Sequence, residues 1–222
     1  MKSLPERLSQ APAGDGALPG EAVSAHQRRR ILDAVAKLSA EGGYSSLTLE
    51  QIAKTARVAF ATFYEHFATK EECFLAAFDE AVADAGARLA EAVDPDSPWP
   101  DQIAAGLAAF LGLVAEQPER AKLCLVEAQA AGPDSLARYE AALDSVVPKL
   151  SDGRALAADP DALPRSLEPS TVGGIAWLVQ QRLVLDQLNE IEAMLPELLE
   201  IVLSPYVGEA EARRAASGAQ AA

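Results

Sequence analysis

Residues 48–67, TLEQIAKTARVAFATFYEHF, decide the fold. Thr48 followed three residues later by Gln51 is a capping-box start, and Leu49, Ile52, Ala53 and Ala56 then recur on one helical face. The pattern predicts a first helix of about two turns. Three residues on, a second short helix sets Phe63 and Phe67 on one face and Phe60 and Tyr64 on a neighbouring one. Two short helices joined by a tight turn make a helix-turn-helix, whose second helix has the form that enters a DNA groove. Leu47, Ile52, Ala53, Val58, Phe63 and Phe67 are expected to build the small core that fixes the angle between the two helices.

Extended to residue 72, the stretch TLEQIAKTARVAFATFYEHFATKEE resembles the tetracycline-repressor (TetR) family of one-component bacterial transcriptional regulators. The shared pattern is Thr, then Ile-Ala, a turn, Thr-x-Tyr-x-His-Phe, and a Lys opening the next helix. It covers residues 26–80 closely and the remainder by architecture. The resemblance implies an all-α fold, with an N-terminal three-helix DNA-binding domain and a C-terminal helical bundle that forms a dimer and holds a ligand pocket. Thr48, Thr62, Tyr64, His66 and Lys70 stand where the family places groups that contact the DNA backbone, and each can donate a hydrogen bond to a phosphate oxygen. His66 has the alternative of packing against the following turn. Phe60, Ala61 and Thr62 match family positions that approach base edges, with Phe60 suited to a thymine methyl.

Two departures stand out. Arg57 occupies the turn position where the family usually has Gly and where φ is expected to be positive, and Ala59 replaces the usual Ser N-cap of the second helix. A missing cap costs about 0.5–2 kcal/mol, so that helix is expected to be loosely held without DNA. It also lacks Arg, Asn and Gln, the usual bidentate base readers.

The formal net charge of −14 argues at first against a nucleic-acid partner. Residues 1–70, however, hold nine Lys and Arg against seven Asp and Glu, whereas residues 71–222 hold ten against twenty-six. Positive charge is therefore concentrated on the end that carries the helix-turn-helix. Ser24 with Gln27 is a second capping-box candidate, opening a helix that lines Ile31, Val35 and Leu38 on one face and stops at Gly42-Gly43. Its first turn would carry Arg28, Arg29 and Arg30, which either reach phosphate or are simply solvated. Residues 1–23, without period, read as a disordered tail.

After the helix-turn-helix domain at 24–70, residues 71–208 read as a helical effector-binding and dimerisation domain, and 209–222 as a flexible tail. Thr69 with Glu72 caps a long helix to Val93, and Pro95, Pro98 and Pro100 break it. Amphipathic stripes follow from Asp101, from Ala121 and from Asp134 or Ser135, then a Pro, Asp and Gly-rich loop at 151–170. The helices expected at 172–188 and 194–207 are apolar on more than one side, so each needs two partners, one of which is a second subunit in the two-fold pairing that the resemblance implies. For the pocket, Phe110, Gln129, Tyr139, Trp177 and Gln180 are the candidates, and a small, largely apolar effector is expected.

An enzyme is not expected. There are two histidines, both at the DNA-binding end, and no HExxH, GxSxG, P-loop or GxGxxG. No cofactor or metal is expected either. Cys73 and Cys124 lie in apolar helical patterns and read as buried reduced thiols of a cytoplasmic protein, and no signal pattern or membrane span is seen. The reading is therefore a homodimeric transcriptional regulator, by family default a repressor on a palindromic operator. Its alternative is a dimeric helical interaction module that has lost sequence-specific DNA binding.

Overall fold

The computed structural model describes residues 19–219, and among these every regular element is helical. Helix α1, Pro19–Gly42, begins before Ser24. Proline is pre-set for a helix's first turn, and Ser24 consequently lies inside the helix and opens nothing. Residues 1–18 of the expected tail lie outside the described residues. This earlier start places Arg28–Arg30 well inside α1, so the helix dipole does not bear on them.

The helix-turn-helix forms as its caps predict. Helix α2, Leu49–Ala56, starts on the Thr48–Gln51 capping box, with Gln51 N–H donating to Thr48 Oγ1 and Thr48 N–H donating to Gln51 Oε1. Helix α3 is Phe60–His66. Helix α4, Lys70–Ala92, starts on Thr69, whose hydroxyl accepts from Glu72 N–H, while the Glu72 carboxylate reaches back to Ala68 N–H. Ile31, Val35, Leu47, Ile52, Phe63, Phe67, Phe74 and Phe78 form one core. Leu123, Ala128 and Ala131 join that same core from the far side of the expected boundary at residue 70. The two halves are thus packed together, not merely strung on α4.

Beyond the proline break come α5 (Trp99–Glu116), α6 (Pro118–Leu125), α7 (Pro133–Asp144) and α8 (Val147–Ser151), all four with proline in the first turn, where it is tolerated. The stretch expected as loop at 151–170 contains two 3-10 turns, Asp152–Leu156 and Pro160–Ala162, and the beginning of α9, Leu167–Val184. That helix ends earlier than residue 188 because Asp186 takes a left-handed conformation, φ 57°. Helix α10 is Leu195–Val207. The expected flexible tail at 209–222 is corrected as far as residue 219, beyond which it lies outside the described residues: Glu209–Ala219 forms α11, with Ala212 and Ala216 buried. Alanine alone lines its inner face, so the segment offers helix propensity without a large-residue stripe.

A second core joins α5, α6, α9 and α10 through Leu111, Val114, Leu125, Val179, Leu183 and Leu198. At its edge lies a buried carboxylate. Glu168 accepts from Arg154 Nε and Nη2 at 2.7 and 2.9 Å, and from Tyr206 Oη at 3.0 Å. Hydrogen bonding from Arg154 holds the Glu168 carboxyl below the usual carboxylate range despite its burial. The same guanidinium donates to the carbonyls of Leu163 and Pro164, which ties the irregular 152–166 segment to α9 and α10. No helix among the described residues is long and apolar enough to cross a membrane.

Candidate nucleic-acid interface

The turn between α2 and α3 rests on Arg57, in the left-handed region with φ 53° and ψ 46°. Its N–H bonds back to Ala53 and Lys54 carbonyls, the geometry of a helix C-cap that glycine usually supplies. Arg30 explains how an arginine is held there. From α1 it donates to the Ala56 carbonyl and, at 2.9 Å, to the Arg57 carbonyl, satisfying the acceptors that a helix end leaves open. Relieving the turn is expected to stabilise the protein. A non-glycine residue in this region costs about 1–2 kcal/mol, and glycine returns about 0.5–1 kcal/mol of that as chain entropy. Arg57→Gly should therefore raise the melting temperature by roughly 1–4 °C, measured by circular dichroism; a lower value would mean that the Arg57 side chain itself supports the turn.

Ala59 leaves α3 without a side-chain cap, as its identity implies. The helix is held instead by its inner face. Phe63 is fully buried, with its ring 5.9 Å from Phe67 and edge-on to Tyr64 at 5.7 Å. Leu47, Ile52, Ala53 and Phe67 are buried with it, and Val58 packs against them half-buried.

Of the expected DNA contacts, the structure leaves some side chains outward and draws others in. Phe60 and Tyr64 are 50 % and 55 % exposed on one side of α3, with Ala61 exposed beside them and Thr62 half-buried. Thr48 is exposed, but its hydroxyl is engaged in the α2 cap. His66 turns Nε2 into the domain, where it is buried without a hydrogen-bond partner, so that nitrogen does not face outward. Lys70 is drawn in as well. Its ammonium donates to the Tyr44 and Leu47 carbonyls at 3.2 and 3.0 Å and sits 4.3 Å from the Tyr44 ring centroid. That makes Lys70 first a clamp on the 3-10 turn Tyr44–Ser46 that leads into α2.

The arginine triplet divides in the same way. Arg28 pairs with Glu80 of α4 at 3.4 Å and lies 5.4 Å from the Phe67 ring centroid, while Arg30 caps α2. Arg29 is exposed and makes no ion pair among the described residues. Sequence reasoning did not find Glu127, whose carboxylate accepts Tyr44 N–H at 2.7 Å and so ties the segment after α6 to the turn before Thr48. The contact spans 83 positions, and no local pattern signals it.

The expected pocket residues are not brought together. Trp177 is 57 % exposed on α9 and Gln129 is also exposed, so neither lies inside the bundle, whereas Phe110 and Tyr139 pack half-buried against the second core and Gln180 is half-buried. A large, mostly apolar indole reads as interior from sequence, but the inner face of α9 is already taken by Ala176, Val179 and Leu183. An open cleft of about 230 Å³ lies elsewhere, lined by Glu140, Leu143, Asp144, Val147, Pro169 and Val172. Burial pushes both cysteine thiols up to about 12, which keeps them in the unreactive form.

Comparison with known proteins places this geometry. Residues 31–77, from mid-α1 into α4, match the family described as bacterial regulatory proteins, tetR family. A curated relative, an uncharacterized HTH-type transcriptional regulator YhgD of Bacillus subtilis (strain 168), is 30 % identical over 89 residues, which is 40 % of this chain. The matched part spans 47 % of that relative's length. Among solved structures, the fatty acid degradation regulator FadR from Bacillus halodurans has a TM-score of 0.71 at 18 % identity, covering 80 % of this chain and 94 % of its own. FadR from Bacillus subtilis, solved in complex with stearoyl-CoA, has a TM-score of 0.69 at 22 % identity, with 80 % and 98 % covered. At these identities the solved structures speak for the fold, and the matched segment speaks for the helix-turn-helix. Residues 31–77 thus carry a helix-turn-helix like that of the tetR family of bacterial regulatory proteins, on a chain whose fold is similar to that of solved transcriptional regulators.

Proposed function

We propose that this regulator acts as a homodimeric repressor on a palindromic operator and is released by a small, largely apolar effector. The observation that carries the DNA reading is the outer side of α3. It presents Phe60, Ala61 and Tyr64 to solvent in a helix whose opposite side is locked by Phe63. Tyr64 and Arg29 are among the exposed side chains that can meet phosphate. Lys70, Arg28 and Arg30 hold the reading head in shape.

The dimer reading rests on α9 and α10. Trp177, Val184 and Leu185 are exposed along α9, and Ile201 on α10, although both helices are apolar on their inner sides too. Pairing two such surfaces about a two-fold axis would cover them and set two reading heads on one face of the DNA. The effector reading rests on the second core, where Phe110 and Tyr139 remain half-buried, and on the acyl-CoA held by a neighbour of the same fold. To release DNA the effector must favour the non-binding arrangement by a few kcal/mol.

Selection from a random-sequence DNA pool tests the proposal. The expected product is an inverted repeat whose half-site centres lie about one helical turn apart or a multiple of it, bound by two chains. An asymmetric enriched motif, or none, would overturn it.

A further inference from the structure

We infer that Phe60 sets sequence preference by packing on the C5 methyl of a thymine in each half-site. The inference rests on the DNA reading above and goes further, since it names the chemical group that is recognised.

Base edges in the major groove offer donors, acceptors and one apolar group, the thymine methyl. The purines are usually read by Arg, Lys, Asn or Gln, and α3 carries none of these. Of the nearby cations, the exposed Arg29, Lys54 and Arg57 stand on α1, on α2 and in the turn, not on α3, and the others are engaged. Lys70 is held by two carbonyls, Arg28 by Glu80, and Arg30 by the end of α2. His66 turns Nε2 inward. What α3 offers outward is the Phe60 ring, the Ala61 methyl, the Tyr64 phenol and the Glu65 carboxylate. Glu65 stands more than one turn further along α3 than Phe60, and it is an acceptor.

Phe60 is the anomaly in this set. It is half exposed, while Phe63, Phe67, Phe74 and Phe78 of the adjoining core are buried. No aromatic contact joins it to another ring among the described residues. A large apolar side chain in that state has surface to bury, and the thymine methyl is the apolar group that the groove provides. Phe60 is not among the buried residues of the domain's core, so truncating it removes no buried side chain.

The test uses the full chain and the site obtained by selection. Each thymine is replaced in turn by deoxyuridine, which deletes the methyl and keeps every hydrogen-bonding group. For the wild type, one such replacement in a half-site should weaken binding about fourfold, the effect of one buried methyl group, and its symmetry mate should do the same. For Phe60→Ala the same replacement should cost less than about 1.5-fold, with Phe60→Leu between the two. Equal melting temperatures of wild type and Phe60→Ala would show that the fold is kept; a lower one moves the comparison to Phe60→Leu. If every deoxyuridine site binds the wild type within about 1.5-fold of the parent, or if Phe60→Ala keeps the full penalty, the inference is overturned while the DNA reading stands. If selection yields no preferred site, the DNA reading itself fails before any deoxyuridine is introduced.

Discussion

Glu168→Ala should destabilise the protein by about 3 kcal/mol, near the lower end for breaking a buried ion pair, and lower the melting temperature by roughly 6–12 °C. Glu168 is 2 % exposed and accepts from three donors at 3.0 Å or less, two on Arg154 and one on Tyr206. Removing it leaves the Tyr206 hydroxyl without its acceptor and the guanidinium without its counter-charge. Arg154 reaches solvent in part, which is why the lower end applies. Glu168→Gln keeps an acceptor and should lose less. The pH dependence has a definite sign. Glu168 has a lowered folded-state pKa, so its contribution is full above the ordinary carboxylate range and is lost as the pH falls through that lowered value. The gap between wild type and Glu168→Ala should therefore be constant near neutrality and narrow in acid. A gap that widened in acid would contradict the assignment.

Trp177→Asp should turn the proposed dimer into a monomer, read by sedimentation, and weaken operator binding by about 100-fold, the size of a central aromatic contact in an interface. The indole is 57 % exposed and in register with Val184 and Leu185 along α9, so the substitution removes the largest apolar group of that surface and adds a charge to it. Nothing in the chain's own core depends on that ring. Near-normal melting with lost dimer is the expected pair of results. An intact dimer would move the interface off α9.

The parts of this molecule that sequence shows best are those fixed within a few residues. The Thr48–Gln51 box and the Thr69 cap are local chemistry, and both form. Arg57 is similar, since a tight helix-turn-helix connection demands a left-handed residue at that position whatever its identity. The first helix was misplaced for an equally local reason. Ser24 and Gln27 mimic a box, whereas Pro19 marks the true entry. Helix α11 carries no large apolar residue on its inner face, so periodicity had nothing to report.

Long-range roles were not legible. Arg30, which the sequence leaves open between phosphate contact and solvation, is a helix cap 26 positions away. Lys70 stands at a position the resemblance assigns to the DNA backbone, and its ammonium holds carbonyls 23 and 26 positions back. Arg154 and Glu168 pair across a segment that reads as loop. In each case the side chain's chemistry was plain, and its partner was set by packing.

Equilibrium binding to the selected operator, followed by fluorescence anisotropy across a salt series, tests the regulator reading most directly. Binding to the operator should be tighter than to a scrambled duplex, and log K should fall linearly with log salt, with a slope of about −0.9 per phosphate contact. Affinity indifferent to salt, or equal for both duplexes, would contradict it.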